Sequence, residues 1–407
     1  MKVSLVGYTD RYGAGRAAHR LLRALRRSGV DAHMLVLEKT TDDPNVVPAL
    51  GRWAKPTGEA FRRADSLPAR LQHRGLPHPW TTGWMPFPGM VRAIRRAKPD
   101  VVHLHWTAFA LSPRQIAKLG VPVVWTLHDM AAFTGGCHYD GGCGRYAEGC
   151  GACPLLGSAR PGDITHKTLM RKLRAWRDVP MTIVTPSHWL GDCARNSLVF
   201  RDKRVEVIIN PLDLDVFKPR DRGWCRDLLG LPQDKKVILF GAVAATDDPR
   251  KGFDMLCEAL PRVAAAPEGN DAMAVVFGAQ EPADPPDLGL AVRYVGRITD
   301  DVALAALYAA ADVTVVPSRQ EVLGATAAES LACGTPVVGF NVGGIPDMLD
   351  HGTNGYLARP FEAADLAAGI LAVLKGDAAQ MRLAARRSAE ARFDEADIVW
   401  RFLDVYA

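Results

Sequence analysis

The 407-residue sequence has no apolar run near the roughly 20 residues that a membrane-spanning helix requires. It has no internal repeat, no zinc-finger helix and no ladder of aromatic and basic residues, so nucleic acid is not an expected partner. The opening segment, Met1–Gly7, is too short and too soon polar for a signal peptide. We therefore expect a cytoplasmic protein, with any membrane association peripheral, at the inner face.

The composition suits two domains with separate cores, because 48% of the residues are hydrophobic. The net charge is +5, but residues 1–100 hold 18 Lys or Arg against 8 Asp or Glu. Two interpretations of this excess stay open. It is either a solvated basic surface or a face towards an anionic partner, such as a lipid phosphate, an acidic glycan or a membrane surface.

Short apolar runs alternate with helical patterns along most of the chain, which predicts parallel strands joined by crossover helices. One series occupies residues 1–209 and a second occupies 210–385, with a linker at Asn210–Asp213. A helical segment, 386–407, is expected to pack back on the first domain. Residues 40–90 carry little regular signal and are predicted to be irregular. The predicted fold is α/β, with two Rossmann-like doubly wound domains that bind ligands at the carboxyl ends of their strands, in the cleft between them.

The most specific motif follows the predicted strand Val313–Val316 and contains two carboxylates eight residues apart, Glu321 and Glu329. Glu321 should precede a helix and Glu329 should lie about two turns into it. Free N–H groups at the helix start, together with the helix dipole, favour a diphosphate there. By spacing alone, a solvated Glu321 and a salt-bridged Glu329 remain the alternative.

This motif resembles the E-x7-E signature of the family-4 retaining glycosyltransferases. Further matching pieces follow in order: Asn210…Asp213…Phe217-Lys218-Pro219, Arg250-Lys251-Gly252, Gly343-Gly344-Ile345-Pro346 and His351-Gly352-Thr353-Asn354-Gly355. The resemblance covers essentially the whole chain. It implies a GT-B fold and transfer of a hexosyl-type sugar from a nucleotide-diphosphate donor to a glycan, a lipid-linked molecule or a natural product. The donor base and the acceptor are not readable from the sequence.

The resemblance also implies roles for individual residues. Glu321 would hydrogen-bond the transferred sugar, assisted by the backbone N–H groups of Leu323, Gly324 and Ala325. Glu329 would bind the ribose, and Arg297-Ile298 would contact the base through the backbone. Lys251 would neutralise the donor phosphates.

The chain departs from the family pattern after the first strand of the second domain, where Gly241-Ala242 stands in place of a common Gly-Arg. Arg250 is a candidate for the missing positive charge. No cofactor or metal is expected in catalysis, because the only Asp-x-Asp match, Asp213-Leu214-Asp215, lies in the predicted linker.

Gly13 and Gly15 lie between the first predicted strand and its helix, where a ligand phosphate can approach the backbone. Gly13-x-Gly15-x-x-Ala18 also matches a dinucleotide fingerprint, so an NAD(P)- or flavin-dependent enzyme is the rival interpretation. Six residues between the strand end at Val6 and Gly13 argue against the tight turn that this fingerprint needs.

His128 follows the predicted strand Val121–Leu127, at the ligand side of a parallel sheet. Taken alone, such a histidine is equally a satisfied core residue. The resemblance implies a place near the donor sugar, and we count His128 with Glu321 and Lys251 as catalytic candidates.

Four cysteines crowd one segment within 130–160: Cys137, Cys143, Cys150 and Cys153. Glycine-rich spacers and a terminal Cys-x-x-Cys suit a tetrahedral thiolate site, so a structural zinc is expected, with free thiols and disulfides as open alternatives. A similar insertion occurs in the exopolysaccharide (colanic-acid-like) branch of the family. Two other functional classes also stay open. They are a GT-B enzyme of another reaction, such as an epimerase, and a non-catalytic nucleotide-sugar-binding protein.

Overall fold

The computed structural model describes residues 1–50, 54–72, 80–85, 87, 89–242 and 245–407, with the side chains of 54–59 and 72 left aside. The chain forms two compact units. The first comprises Met1–Pro211 with Glu395–Ala407, and the second comprises Leu212–Asp394.

The first unit is built on a parallel sheet with the strand order β3-β2-β1-β4-β5-β6-β7. Its strands are β1 (Lys2–Thr9), β2 (Asp31–Glu38), β3 (Val46–Pro48), β4 (Val101–Leu104), β5 (Val123–Thr126), β6 (Met181–Thr185) and β7 (Arg204–Val207). Its helices are α1 (Tyr12–Arg27), α2 (Ala54–Gln72), α3 (Met90–Ala97), α4 (Pro113–Ile116), α5 (Ile164–Trp176), α6 (His188–Asn196) and, at the chain's end, α13 (Glu395–Tyr406).

The core of this unit forms because apolar residues recur at helical spacing on α1 and fill the strands that it covers. Leu21, Leu22 and Leu25 are fully or almost fully buried against Val3 and Leu5 of β1. Each such side chain contributes about 1.5–3 kcal/mol when it leaves water. The strand order reverses between β1 and β4, so the loops after these strands diverge and leave a crevice at their carboxyl ends.

The second unit repeats this plan with the strand order β10-β9-β8-β11-β12-β13. Its strands are β8 (Lys236–Gly241), β9 (Ala272–Phe277), β10 (Ala291–Gly296), β11 (Val313–Val316), β12 (Val337–Phe340) and β13 (Gly355–Ala358). Its helices are α7 (Arg222–Leu229), α8 (Phe253–Ala264), α9 (Asp301–Ala310), α10 (Ala325–Ala332), α11 (Ala363–Lys375) and α12 (Ala378–Arg392). Here the order reverses between β8 and β11.

Several boundaries differ from those expected. Strand β1 continues through Gly7 and Tyr8 to Thr9, because it pairs with β2 along its length. Three residues, and not six, therefore separate it from Gly13, and the spacing argument against a dinucleotide turn was wrong. The stretch 40–90 was expected to be irregular, but it contains β3 and α2; residues 51–53, 73–79, 86 and 88 of it lie outside the described residues.

The terminal segment also divides differently. Residue 386 falls inside α12, which belongs to the second unit, and the chain returns to the first unit at Glu395. Phe402 of α13 is buried in the first unit, whereas Trp400 is 66% exposed. Within the part of the chain that is described, no helix is long and apolar enough to cross a membrane.

Candidate active site

Two side chains of opposite charge meet at the carboxyl edge of the second sheet. Lys251 Nζ lies 2.6 Å from Glu321 Oε2, and both side chains are mostly buried. Lys251 ends a 3-10 turn between β8 and α8, while Glu321 lies in the loop between β11 and α10. Since β8 and β11 are the strands between which the order reverses, the pair lies where open α/β sheets bind ligands.

The charge of Glu321 depends on these neighbours. Burial alone would raise the pKa of the Glu321 carboxyl, because a desolvated carboxylate loses its hydration. The Lys251 ammonium and its hydrogen bond, together with the Arg250 guanidinium, outweigh burial and hold the pKa below its usual value. Arg250 also pairs with Asp248. Arg250 is thus close enough to act as a second positive charge beside Lys251.

Two glycines fix the backbone around this pair. Gly252 has φ +70°, and a Cβ added to it would lie 1.9 Å from the carbonyl oxygen of Pro317. Gly343 has φ +56°, and its added Cβ would lie 2.0 Å from the carbonyl oxygen of Glu321. Neither position tolerates a side chain, because the backbones touch and the left-handed conformation is costly for other residues. Close backbone contact therefore locks both loops in place.

Helix α10 follows Glu321 as predicted and begins at Ala325, with Gly324 at its N-cap in a left-handed conformation and without a side-chain cap. In the described part of the chain, the N–H groups of Leu323, Gly324 and Ala325 donate to no backbone or side-chain acceptor. These donors, at the positive end of the helix, are available to an anionic ligand.

Glu329 lies just over one turn into α10, and not two, because the helix starts at Ala325. Its side chain is buried, and the Tyr308 hydroxyl donates to Glu329 Oε2 at 3.1 Å. Arg297 and Ile298 follow the last residue of β10, at the same edge of the sheet. The structure therefore places all the second-unit candidates at the carboxyl edge of one sheet.

In the first unit, His128 follows β5 and contacts a second histidine that the sequence did not single out. His128 Nε2 lies 3.0 Å from His105 Nδ1, and His105 follows the neighbouring strand β4. Burial lowers the pKa of His128 to about 4, against a smaller opposing effect of Asp129. The imidazole is therefore neutral at physiological pH.

Asp129 joins several groups beside His128. Trp106 Nε1 donates to Asp129 Oδ2 at 2.6 Å, and His138 Nδ1 lies 2.6 Å from the same oxygen. Thr81 Oγ1 lies 2.7 Å from His138 Nε2, which connects the segment 80–85 to this network. These contacts orient the loop after β5 and hold His128 in place.

A cavity of about 50 Å³ adjoins these groups. Its apolar walls include Trp106, Trp125 and Trp176, and its polar lining includes His105. His105 Nε2 is buried and, within the described residues, has no hydrogen-bond partner. The cavity is large enough for water, which would satisfy this nitrogen.

The loop after β1 is held by a residue that the sequence analysis missed. The carboxylate of Asp10 is buried and accepts hydrogen bonds from the N–H and hydroxyl groups of Thr40 and Thr41. A Cβ on Gly15 would lie 2.4 Å from the carbonyl oxygen of Thr9, whereas a Cβ on Gly13 would meet no atom within 4 Å. Gly15 thus serves packing, and Gly13 leaves open space at the start of α1.

None of the four clustered cysteines forms a disulfide in the described part of the chain. Burial raises the pKa of Cys150 to about 11, and the neighbouring cysteines contribute to this shift. Among the described residues, however, no three His, Cys, Asp or Glu side chains are arranged to hold a metal ion. The arrangement therefore does not display the tetrahedral site that zinc needs, and zinc stays a prediction.

Two residues described above could not be singled out from the sequence. His105 and Asp10 each follow an apolar strand, and a lone polar residue there is equally a core residue. Their position in the sheet is the feature that could have identified them. They lie at or near the carboxyl ends of β4 and β1, the two strands at the reversal of strand order.

Two family models match the chain. The model described as "Glycosyltransferase Family 4" matches residues 12–216, and the one described as "Glycosyl transferases group 1" matches residues 234–376. Among curated proteins, D-inositol 3-phosphate glycosyltransferase of Nocardioides sp. is 30% identical over 384 residues, spanning 86% of this chain and 78% of that protein. These matches do not support the dinucleotide interpretation of Gly13 and Gly15.

Solved structures with the same fold include sucrose-phosphate synthase from Thermosynechococcus elongatus, with a TM-score of 0.67 and 20% identity over 100% of this chain and 98% of that one. Anabaena Alr3699/HepE in complex with UDP-glucose gives a TM-score of 0.64 and 18% identity over 99% of this chain and 98% of that one. At this identity the likeness concerns the fold alone. The predicted GT-B class, with two parallel-sheet α/β domains, is confirmed.

Proposed function

Because this chain belongs to glycosyltransferase family 4, we propose that it transfers a hexosyl-type sugar, with retention of configuration, from a nucleotide-diphosphate sugar. The acceptor is a glycan, a lipid-linked molecule or a natural product, and the reaction takes place in the cytoplasm. The narrower kinship with the cysteine-bearing exopolysaccharide branch stays a prediction.

The observation that carries this proposal is the Lys251–Glu321 pair at the carboxyl edge of β8 and β11. A diphosphate needs positive charge, which Lys251 and Arg250 supply, and N–H donors, which the start of α10 supplies. Sugar hydroxyls need an acceptor that stays ionised, and the lowered pKa of Glu321 keeps it so. Both requirements are met within one small region of the second unit.

In the proposed reaction the bond from the sugar's anomeric carbon to the diphosphate oxygen breaks, and the acceptor oxygen bonds to that carbon on the same face. The acceptor proton passes to the departing diphosphate oxygen, so no protein base is required. Lys251 and Arg250 stabilise the charge that develops on the leaving group, and Glu321 positions the sugar. The catalytic role of His128, which the family resemblance implies, stays a prediction; its neutral imidazole can accept a hydrogen bond from a hydroxyl group or donate one to it.

A thermal-shift screen tests the donor half of this proposal without an acceptor. The purified protein is heated with UDP, GDP, their sugar conjugates or NAD(P), because any ligand of the native state raises the melting temperature. We expect one nucleoside diphosphate and its sugar conjugate to stabilise the protein, and UDP is the first candidate because a protein of the same fold is described with UDP-glucose.

The matched variants are Lys251→Ala and Lys235→Ala. Lys235 is a more exposed lysine of the same unit, immediately before β8 and at the opposite edge of the sheet. The shift should disappear in Lys251→Ala and persist in Lys235→Ala. Stabilisation by NAD(P) alone, or an equal shift in both variants, would contradict the proposed donor site.

A further inference from the structure

A second concave site lies on the first unit, between α4 and α5. This basic pocket has a volume of about 470 Å³ and is lined by the cations Arg114, Lys167, Arg171 and Arg174, together with His166. Among the described residues that line it, none carries a carboxylate. A concave surface of one sign concentrates the electric field and attracts counter-ions.

Three of these cations have no compensating partner among the described residues. In the part of the chain that the structure describes, the side chains of Arg114, Lys167 and Arg174 make no hydrogen bond or ion pair. Lys167, Arg171 and Arg174 are neighbours on one helical face, at spacings where like charges destabilise a helix. Folding therefore holds together charges that repel one another, and an anion bound among them would relieve that repulsion.

Arg171 is fixed in a direction that favours such a ligand. Its Nη1 donates to the carbonyl oxygen of Thr82 at 2.9 Å, which anchors the guanidinium at the pocket wall. Gly83, the next residue, packs against the Pro113 side chain at the start of α4. The segment 82–83 thus ties α4 to α5 and keeps Arg114 and Arg171 on the same concavity.

We propose that the basic pocket binds a phosphate-bearing ligand. Planar guanidinium groups bind phosphate oxygens in pairs, and three arginines with one lysine suit a ligand that carries two or more negative charges. Met170 and Ala175 are the apolar residues among the described lining, so the pocket fits a polar head group better than a hydrocarbon chain. The pocket belongs to the first unit, whereas Lys251 and Glu321 belong to the second, and the proposal does not depend on the proposed transfer reaction.

Two sources can supply this chemistry, a soluble phosphorylated compound or the head group of an anionic lipid, and two assays distinguish them. Calorimetric titration with inorganic pyrophosphate detects soluble ligands. Co-sedimentation with phosphatidylcholine vesicles, with and without phosphatidylglycerol, detects the lipid source. All proteins carry Lys251→Ala, so that the donor site does not hold the pyrophosphate.

The test variant is Lys167→Glu/Arg174→Glu, which reverses two exposed charges of the pocket. The control is Arg92→Glu/Arg96→Glu, which makes the same change of net charge on two exposed residues of α3. We expect the parent and the control to bind one probe, and the pocket variant to bind it at least about tenfold more weakly.

Pyrophosphate binding identifies a soluble ligand, and binding only to vesicles with phosphatidylglycerol identifies a lipid. If the parent binds neither probe, or if the pocket variant binds as well as the control, the proposal is overturned. The stabilisation by nucleoside diphosphate, measured with Lys251 restored, should be the same in both double variants. This readout separates a failure of the basic pocket from a failure of the donor site.

Discussion

Lys251 and Glu321 form an ion pair between the loops that follow two neighbouring strands, although 70 residues separate them in the sequence. The Lys251 ammonium lowers the pKa of Glu321 and, in the proposed reaction, lies beside the departing diphosphate. We expect Glu321→Gln to lower turnover by about 100-fold or more, because the neutral amide is a weaker acceptor for the sugar hydroxyls. Initial rates with the donor found by thermal shift measure this change.

The matched control is Glu258→Gln on α8, where a half-exposed carboxylate pairs with Arg262 one turn away. This variant should retain the parent rate and melting temperature. Normal turnover in Glu321→Gln would remove Glu321 from the site.

The buried histidines predict a dependence of stability on pH. Burial lowers the pKa of His103 to about 3 and that of His128 to about 4, from 6.5 in the unfolded chain. Between about pH 6.5 and 4 the unfolded state therefore binds more protons than the folded state, so the free energy of unfolding falls as the pH falls. Urea unfolding at intervals from pH 7.5 to 5 measures this slope.

His103→Gln removes one of these protonation sites and should make the slope shallower. It also alters the contacts of His103 with Tyr406 and Thr126, so the slope and not the absolute stability is compared. Equal slopes in His103→Gln and the parent would contradict the assignment.

The packing of the loop after β1 can be tested by replacing Gly13 or Gly15 with alanine, which adds a single methyl group. Gly15→Ala places a methyl group 2.4 Å from the Thr9 carbonyl oxygen and should cost about 2 kcal/mol or more of stability. Gly13→Ala meets open space and should leave the melting temperature unchanged. A loss of turnover in Gly13→Ala at unchanged stability would show that a ligand approaches the backbone there. Equal stability of the two variants would be inconsistent with the packing described.

The cysteine cluster predicts a measurable metal content. If zinc draws the four thiols together, the protein purified without chelators should hold about one zinc ion per chain. Cys150→Ser/Cys153→Ser should then lose the metal and melt at a lower temperature, whereas Cys257→Ser, in the second unit, should do neither. A metal-free parent with a melting temperature equal to that of the double variant would establish free thiols.

Much of this architecture follows from sequence patterns within single strands and helices. The apolar strands of both sheets and the position of Glu321 before α10 are local properties, because burial on both faces requires continuous apolar runs. Strand β1 was underestimated because Gly7 interrupts the apolar run Val3–Val6, and the pairing with β2 extends the strand to Thr9. Helix α2 was missed because Gly58 and Pro68 disfavour helices and other contacts override that preference.

The chemistry of the site was less accessible than the fold. Contacts such as Lys251 with Glu321, or His128 with His105, join residues from different loops, and no local pattern records which loops meet. The parallel pairing of neighbouring strands, visible once each sheet is assembled, brings the two residues of each pair to the carboxyl edge of their own sheet. The family resemblance supplied Lys251, Glu321 and His128, and it gave no indication of His105 or Asp10.

The return of the chain to the first unit has a consequence for biosynthesis. Helix α13 supplies Ile398, Phe402 and Tyr406 to the core of the first unit, and the Tyr406 hydroxyl lies 2.7 Å from His103 Nδ1. These residues leave the ribosome only after the entire second unit has been made. The first 211 residues must therefore wait with an open apolar face while the second unit folds, although domains ordinarily fold in the order of their synthesis. The core of the first unit can therefore be completed only after the second unit has been translated.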